Sequence, residues 1–367
     1  MPRPRMNEDE FREWQDYKRL KNEAEEMDVF PPSVKHAWIK TKDTSLFCTN
    51  PEYEQPEFDP DKIDWEFILK DIEPIDVAQI HEDNFWSAEE LTGHFDKLIV
   101  TDEHIGMDVN KDGLSLYGGK WDEEELDKRI VKTIIHCLVN QNSKLLIIDD
   151  LGDTADGWDG KTERKQHKLP QNMNNRQQFD VGLRFKIKLT EGLKKYYDKI
   201  IWHNATKCNH SFDLTYIICS GFKNYAEARW IKGVKVYNHE KFIDHYRVGN
   251  NTFILTHGKD DENVKYGFPT FLDKVAEKKI NEYIDENYLL ESGVHIEFIK
   301  GDKHQANYDE CTSPRFFYYS IPAYSPASNW VQSNFQKGRS GCYFANYLYE
   351  DEPMSKSEHK LWFKWEK

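Results

Sequence analysis

What most constrains this chain is a recurrence: five short apolar runs, each ending in a polar segment that carries Asp, His or Asn. Lys97-Leu-Ile-Val-Thr101 leads into Asp102-Glu-His104-Ile-Gly106, and Lys144 to Ile148 leads into Asp149-Asp150-Leu-Gly152-Asp153-Thr-Ala-Asp156-Gly157. Lys199 to Trp202 is followed by Asn204-Ala-Thr-Lys-Cys208-Asn209-His210-Ser211. Asn251 to Thr256 ends in His257-Gly258-Lys259-Asp260, and Val294 to Ile299 ends in Lys300-Gly301-Asp302-Lys303-His304-Gln305. Short apolar runs bounded by turn residues read as buried strands. Helical patterns separate the first three: 122–141, with Leu126, Ile130, Ile134 and Leu138 on one face and acidic residues at its start, and a second from Phe179 to Tyr196. The alternation predicts an α/β sandwich with loops gathered at strand ends, where such folds place their sites.

Each polar segment has its own chemistry. In D-x-H, side chains two apart on an extended segment share a face, so Asp102 and His104 can hold one side of a divalent cation. Gly152 leaves the backbone room for a carboxylate at a strand end to reach two cations. An amide oxygen of Asn209 can ligate, and the adjacent His210 imidazole can reach a substrate. An Asp/Gly turn or a surface His accounts for any one segment alone. Five in the order D-x-H, G-D-x-x-D, N-H, H, G-x-x-H do not arise from turns alone.

On Asp102-Glu-His104-Ile-Gly106, Gly152-Asp-Thr-Ala-Asp-Gly157, Asn209-His210, His257-Gly258 and Gly301-Asp-Lys-His304, the chain resembles the calcineurin-like metallophosphoesterase superfamily, in particular its phage-type and DNA-repair-exonuclease-like members. The resemblance spans roughly residues 97 to 305. It implies a four-layer αββα sandwich and two divalent metals, Mn²⁺ favoured over Mg²⁺, Fe or Zn²⁺ for a mixed oxygen and nitrogen donor set. Asp102, His104 and His304 would bind one metal and Asn209 and His257 the other. Asp153 would bridge them, with Asp150 the alternative, and His210 would serve the phosphate and leaving group. Departures from the family pattern are Cys208 in place of Gly, Ser211 after the His, and Asp302 where the first His of G-H-x-H would stand. That last change either gives the second metal a carboxylate or removes a ligand from it, and Asp302 is counted with the metal residues.

Around this block the chain reads as three parts. Residues 1–92 form an N-terminal accessory arm, helical and irregular. A charged helix over 7–28, with Trp14 and Tyr17 on its apolar stripe, offers a surface for a partner or for self-association. The phosphoesterase domain is 93–312, and 313–367 supplies aromatic strands completing the sheet. On the substrate side, the polar loop between the second and third strands carries Arg164, His167 and Asn172, and Lys259 follows His257. Tyr318, Tyr319, Tyr324, Trp330 and Phe335 read more economically as core than as a base-stacking surface.

With 50 Lys and Arg against 65 Asp and Glu, the net charge of −15 argues against broad adhesion to a duplex or an anionic membrane. No apolar run approaches a membrane span, no signal core opens the chain, and six scattered Cys without a C-x-x-C pair suit a reducing cytoplasm, the host's if the gene is a phage's. The function expected is a metal-dependent phosphodiesterase, nuclease-like, on nucleic acid or nucleotides. The alternatives are a phosphomonoesterase, or a non-catalytic binding or virion-type structural protein retaining a degraded domain.

Overall fold

The computed structural model describes residues 36–40, 45–49, 94–111, 119–163, 166–230, 233–259, 264, 266–290, 294–328, 331, 339–348 and 355–363. The chain divides into two compact units, Met1–Asp71 and Ile72–Lys367. In the first, β1 (His36–Lys40) and β2 (Ser45–Thr49) form an antiparallel hairpin with Trp38 opposite Phe47. The expected helix over 7–28, with Trp14 and Tyr17, lies outside the described residues.

The second unit runs β3 (Phe95–Val100), α1 (Glu123–Val139), β4 (Leu145–Asp150), α2 (Asn175–Lys194), β5 (Lys199–Ala205), α3 (Leu214–Arg229), β6 (Val234–His239), β7 (Asp244–Val248) and β8 (Asn251–Thr256). It continues through α4 (Lys274–Glu286), β9 (His295–Lys300), β10 (Asn307–Asp309), β11 (Phe317–Ser320), β12 (Gly341–Tyr347) and β13 (Lys356–Trp362). A six-stranded sheet has the order β13-β12-β3-β4-β5-β6, with β3 to β6 parallel, and a five-stranded sheet has the order β10-β11-β9-β8-β7, with β8, β9 and β11 parallel.

The parallel strands β3, β8 and β9 are buried along their whole length because both faces are covered, and the charged residues they carry, Asp96, Lys97, Glu297 and Lys300, are buried with their apolar neighbours. Between the sheets, Phe95, Ile99, Ile147 and Leu151 meet Phe253, Leu255, Ile299 and Tyr319. Each side chain of this size withdrawn from water contributes about 1.5–3 kcal/mol. On the outer face of the five-stranded sheet, Ala276, Ile280 and Ile284 of α4 cover Ile254, Ile296 and Phe298. Helices α1 to α3 cover the other sheet, where Trp202 packs edge-on against Phe222 and its indole N–H donates to Thr190 Oγ1 at 3.0 Å. The layers are therefore helix, sheet, sheet, helix, the α/β sandwich expected.

Boundaries follow local chemistry. Asp122 caps α1 by accepting from Glu125 N at 3.1 Å, with three glutamates in the first turn. Helix α2 starts four residues before Phe179 because Asn174 and Gln177 form a capping box, while the polar 175–178 stretch carries no apolar period. The two aromatic runs do not complete one sheet: β11 adds to the five-stranded sheet beside β9, and β12 to the six-stranded sheet beside β3. Tyr318, Tyr319 and Tyr324 are fully buried core, whereas Trp330 and Phe335 lie outside the described residues. Among the described residues no helix is long and apolar enough to cross a membrane.

Candidate metal centre

The C-terminal ends of β3, β4 and β5 from one sheet and of β8 and β9 from the other open onto one rim. Beyond β3 and β4 the two loops continue to pair: Asp102 N donates to Gly152 O at 3.0 Å, His104 N to Asp153 O at 2.9 Å, and Ile105 N to Thr154 O at 2.9 Å. Gly301 N donates to His257 O at 3.1 Å, joining the loops after β9 and β8, and Asp302 N donates to Asp102 Oδ2 at 3.2 Å, which ties the second sheet's loops to the first's. Asp102, His104, Asp153, Asp302 and His304 all have positive φ, between 43° and 67°. Five such residues in one rim are a concentration of backbone strain of the kind functional sites hold.

The side chains converge. Asp102 Oδ1 lies 3.1 Å from His304 Nε2 and 3.7 Å from His104 Nε2, and the two Nε2 atoms are 3.2 Å apart. His257 Nε2 is 3.0 Å from both Asp153 Oδ2 and Asn209 Oδ1, and His104 Nε2 is 3.9 Å from Asp153 Oδ2. His257 Nδ1 must carry a proton, because it donates to the Leu151 carbonyl at 3.0 Å, so Nε2 is the nitrogen whose lone pair could serve a cation. Ligand-capable atoms gather in three overlapping groups: Asp102, His104 and His304; Asp102, Asp153 and His257; and His104, Asp156 and His210.

Asp102 Oδ1 and Asp153 Oδ1 are buried and make no hydrogen bond, as are the Nδ1 atoms of His104 and His304. Buried carboxylate oxygens without donors are costly unless a cation completes them. The donor set of carboxylate, amide oxygen and imidazole, buried and convergent, fits divalent metal ions. Burial alone would push the Asp102 and Asp153 carboxyls up, but the facing imidazoles, led by His304 and His257 respectively, hold both below the usual carboxylate value. Burial would likewise lower His257, yet the Asp153 carboxylate raises it to about 9.

Nearby polar groups set this arrangement. Thr101 Oγ1 donates to Asp102 Oδ2 at 2.8 Å. Asp156, a motif residue without an expected role of its own, faces His104 Nδ1 at 3.4 Å, and its carbonyl accepts from His210 Nδ1 at 2.9 Å. His210 is half-buried, burial holds its imidazole below the ordinary value, and its Nε2 is the nitrogen left for other partners. Trp121 Nε1 donates to the carbonyls of Glu103 and His104, at 3.0 and 3.1 Å, and Gln178 Oε1 accepts from Asp156 N at 3.1 Å. Neither residue lies near a motif in the chain, so no local signal marks them.

Of the two aspartates weighed for the centre, Asp153 lies in the cluster. Asp150 instead pairs with the buried Lys186 ammonium and accepts from Gly152 N and Thr154 Oγ1. Asp302 stands at the rim with its carboxylate against lysines, Nζ of Lys303 at 2.9 Å and of Lys259 at 3.7 Å, and it joins none of the three groups. Burial would raise it, but those ammoniums hold it below the ordinary carboxylate value. Among the substrate-side residues, Arg164 lies outside the described residues and His167 is exposed. Asn172 commits its amide N–H to the Trp121 carbonyl at 2.7 Å. The loop that carries them touches the centre through Glu163 N, which donates to His210 O at 2.9 Å.

No protein-family model matches the chain, and no curated protein matches it. Among solved structures, the chain is similar to a conserved uncharacterized protein from Streptococcus pneumoniae TIGR4 described as a predicted phosphoesterase. The two are 10% identical with a TM-score of 0.26 over 73% of this chain and 99% of that one, a likeness too slight to carry an argument.

Proposed function

We propose that the chain is a metal-dependent phosphoesterase, acting on phosphodiesters of nucleic acid or nucleotides. The observation that carries this reading is the convergence of Asp102, His104, Asp153, Asn209, His257 and His304 from the ends of five strands in two sheets, with buried carboxylate oxygens that make no hydrogen bond. Asp102, His104 and His304 would hold one divalent ion, Asn209 and His257 a second, and Asp153 would reach both. Mn²⁺ is the first candidate for this donor set. Two divalent cations in such a site neutralise phosphate oxygens and acidify the attacking water.

The chain's own groups do the rest. Leu151 O fixes the tautomer of His257, and Asp156 O fixes that of His210, which leaves His210 Nε2 as the atom that must first take up a proton, making the ring an imidazolium, and then hands that proton to the leaving oxygen. The unbroken pairing of the 101–105 and 151–154 loops holds Asp102, His104 and Asp153 at set separations, so little rearrangement is needed when substrate arrives.

The test is hydrolysis of bis(p-nitrophenyl) phosphate by metal-stripped protein with Mn²⁺, Mg²⁺ or Zn²⁺ returned, beside Asp153→Asn and with metal content measured on both. Expected are metal-dependent turnover, its loss in Asp153→Asn together with bound metal, and a roughly 10²–10⁴-fold rate loss with metal retained in His210→Ala. Folded protein that binds no divalent metal, or binds it without turnover, would move the reading to a binding or structural role. Preference for the monoester of the same leaving group would make it a phosphomonoesterase.

A further inference from the structure

Resting on the phosphoesterase reading, we infer that Asp302 anchors a two-lysine anion subsite and is not a metal ligand. In this arrangement Lys259 and Lys303 take a second phosphate of the substrate beside the scissile one. The substrate class this points to is a nucleic-acid strand, in which one phosphate follows another.

The argument begins with charge. Asp302 meets two ammoniums, Lys303 Nζ at 2.9 Å and Lys259 Nζ at 3.7 Å, so one carboxylate faces two cations. Its side chain is nearly buried at 7% exposure, while the lysine side chains are 24% and 21% exposed and so reach solvent. Lys303 Nζ also donates to the Tyr266 carbonyl at 2.9 Å. That carbonyl takes one of its three N–H groups, and Asp302 Oδ2 holds the ammonium by charge, without a hydrogen bond. Gly267 makes this packing possible: a Cβ there would lie 2.7 Å from Asp302 Oδ2 and 3.1 Å from Lys303 Nζ.

Position supplies the rest. Lys303 immediately precedes His304, and Asp302 N is bonded to the Asp102 carboxylate, so the pair of lysines stands at the lip of the metal centre. Asp302 offsets only one of the two ammonium charges, so the trio keeps a net positive charge, which is matched to an anion. The scissile phosphate belongs to the cations, so the lysines are matched to a neighbouring phosphate. The Tyr266 side chain, on the same backbone and 75% exposed, gives this lip an aromatic face of the kind on which bases stack.

The experiment compares the Mn²⁺-loaded full chain on a thymidine dinucleotide with and without a 5′-phosphate, in wild type, Lys259→Gln/Lys303→Gln and Asp302→Asn, with Mn²⁺ content determined by mass spectrometry for each. Expected is a KM at least about tenfold lower for the phosphorylated dinucleotide, a ratio that falls toward one in both variants. Mn²⁺ content in Asp302→Asn should equal that of wild type. Loss of one Mn²⁺ per chain in Asp302→Asn would overturn the inference by making Asp302 a ligand. Equal KM values for the two dinucleotides in an active wild type would overturn the subsite and leave the phosphoesterase reading standing, whereas wild type inactive on every diester would overturn both.

Discussion

Gly301→Ala tests whether the placement of Asp102 governs the centre. Gly301 has an ordinary φ, so alanine brings no conformational penalty of its own. It does bring a methyl group whose carbon would stand 2.2 Å from Thr101 Oγ1, 3.3 Å from Thr101 Cβ and 2.8 Å from Asp102 Oδ2. The first distance is more than an ångström inside ordinary contact, and Thr101 cannot retreat, because it is wholly buried and its hydroxyl donates to Asp102. Relief must come from moving Asp102 or the β9 loop that carries Asp302 and His304. Overpacking at a site of this kind costs about 1–3 kcal/mol of stability, and displacing a ligand by about 1 Å costs on the order of 100-fold in rate. Urea denaturation should therefore find a folded protein, while titration of stripped protein finds weakened Mn²⁺ binding and turnover falls with it. Wild-type metal affinity and turnover in a folded Gly301→Ala protein would refute the claim that Asp102 geometry controls the site.

Two further outcomes follow from the buried polar groups. Lys186→Met leaves Asp150 buried and unpaired beside Glu103, whose carboxyl is already held well above its usual pKa by burial and by the Asp150 charge, so unfolding free energy should drop by about 3–5 kcal/mol. A loss under about 1 kcal/mol in urea denaturation would show that Asp150 finds another partner. His203, stacked on Tyr246 and bonded to His239 at 2.9 Å, is kept neutral down to about pH 2, by burial first and then by its neighbours His239 and Lys97. The unfolded chain takes that proton near pH 6.5, so below it the unfolded state binds one proton more than the folded one, and stability falls by about 1.4 kcal/mol per pH unit on acidification. His203→Gln should flatten the dependence of unfolding free energy on pH by about one proton between roughly pH 6 and 4, and an unchanged slope would refute it.

The strands that deliver the site were legible because each is a local apolar run, and β8 begins and ends where its run does. Helix α3 was not, since Leu214–Arg229 has no side-chain cap and a weak apolar stripe and owes its place to packing, whereas α4 carries its own signal in the Asp273 cap and in Ala276, Ile280 and Ile284 four apart. The polar residues behind the centre leave no local mark, because Trp121 and Gln178 reach it from segments distant in sequence.

What the amino-acid order determined alone is the succession of buried strands and the residue types at their ends, because burial periodicity and turn chemistry act over a few neighbouring residues. Tertiary structure alone decided what each aspartate after β4 does. Successive residues on a strand face opposite sides, so Asp149 turns between the sheets to Lys97 and Tyr246, and Asp150 turns to Lys186 of α2. Asp153, carried past Gly152 into a left-handed turn, reaches His257 and the metal centre. The partners lie 52, 36 and 104 residues from these carboxylates, and only the packing of two sheets and a helix brings each pair within bonding distance.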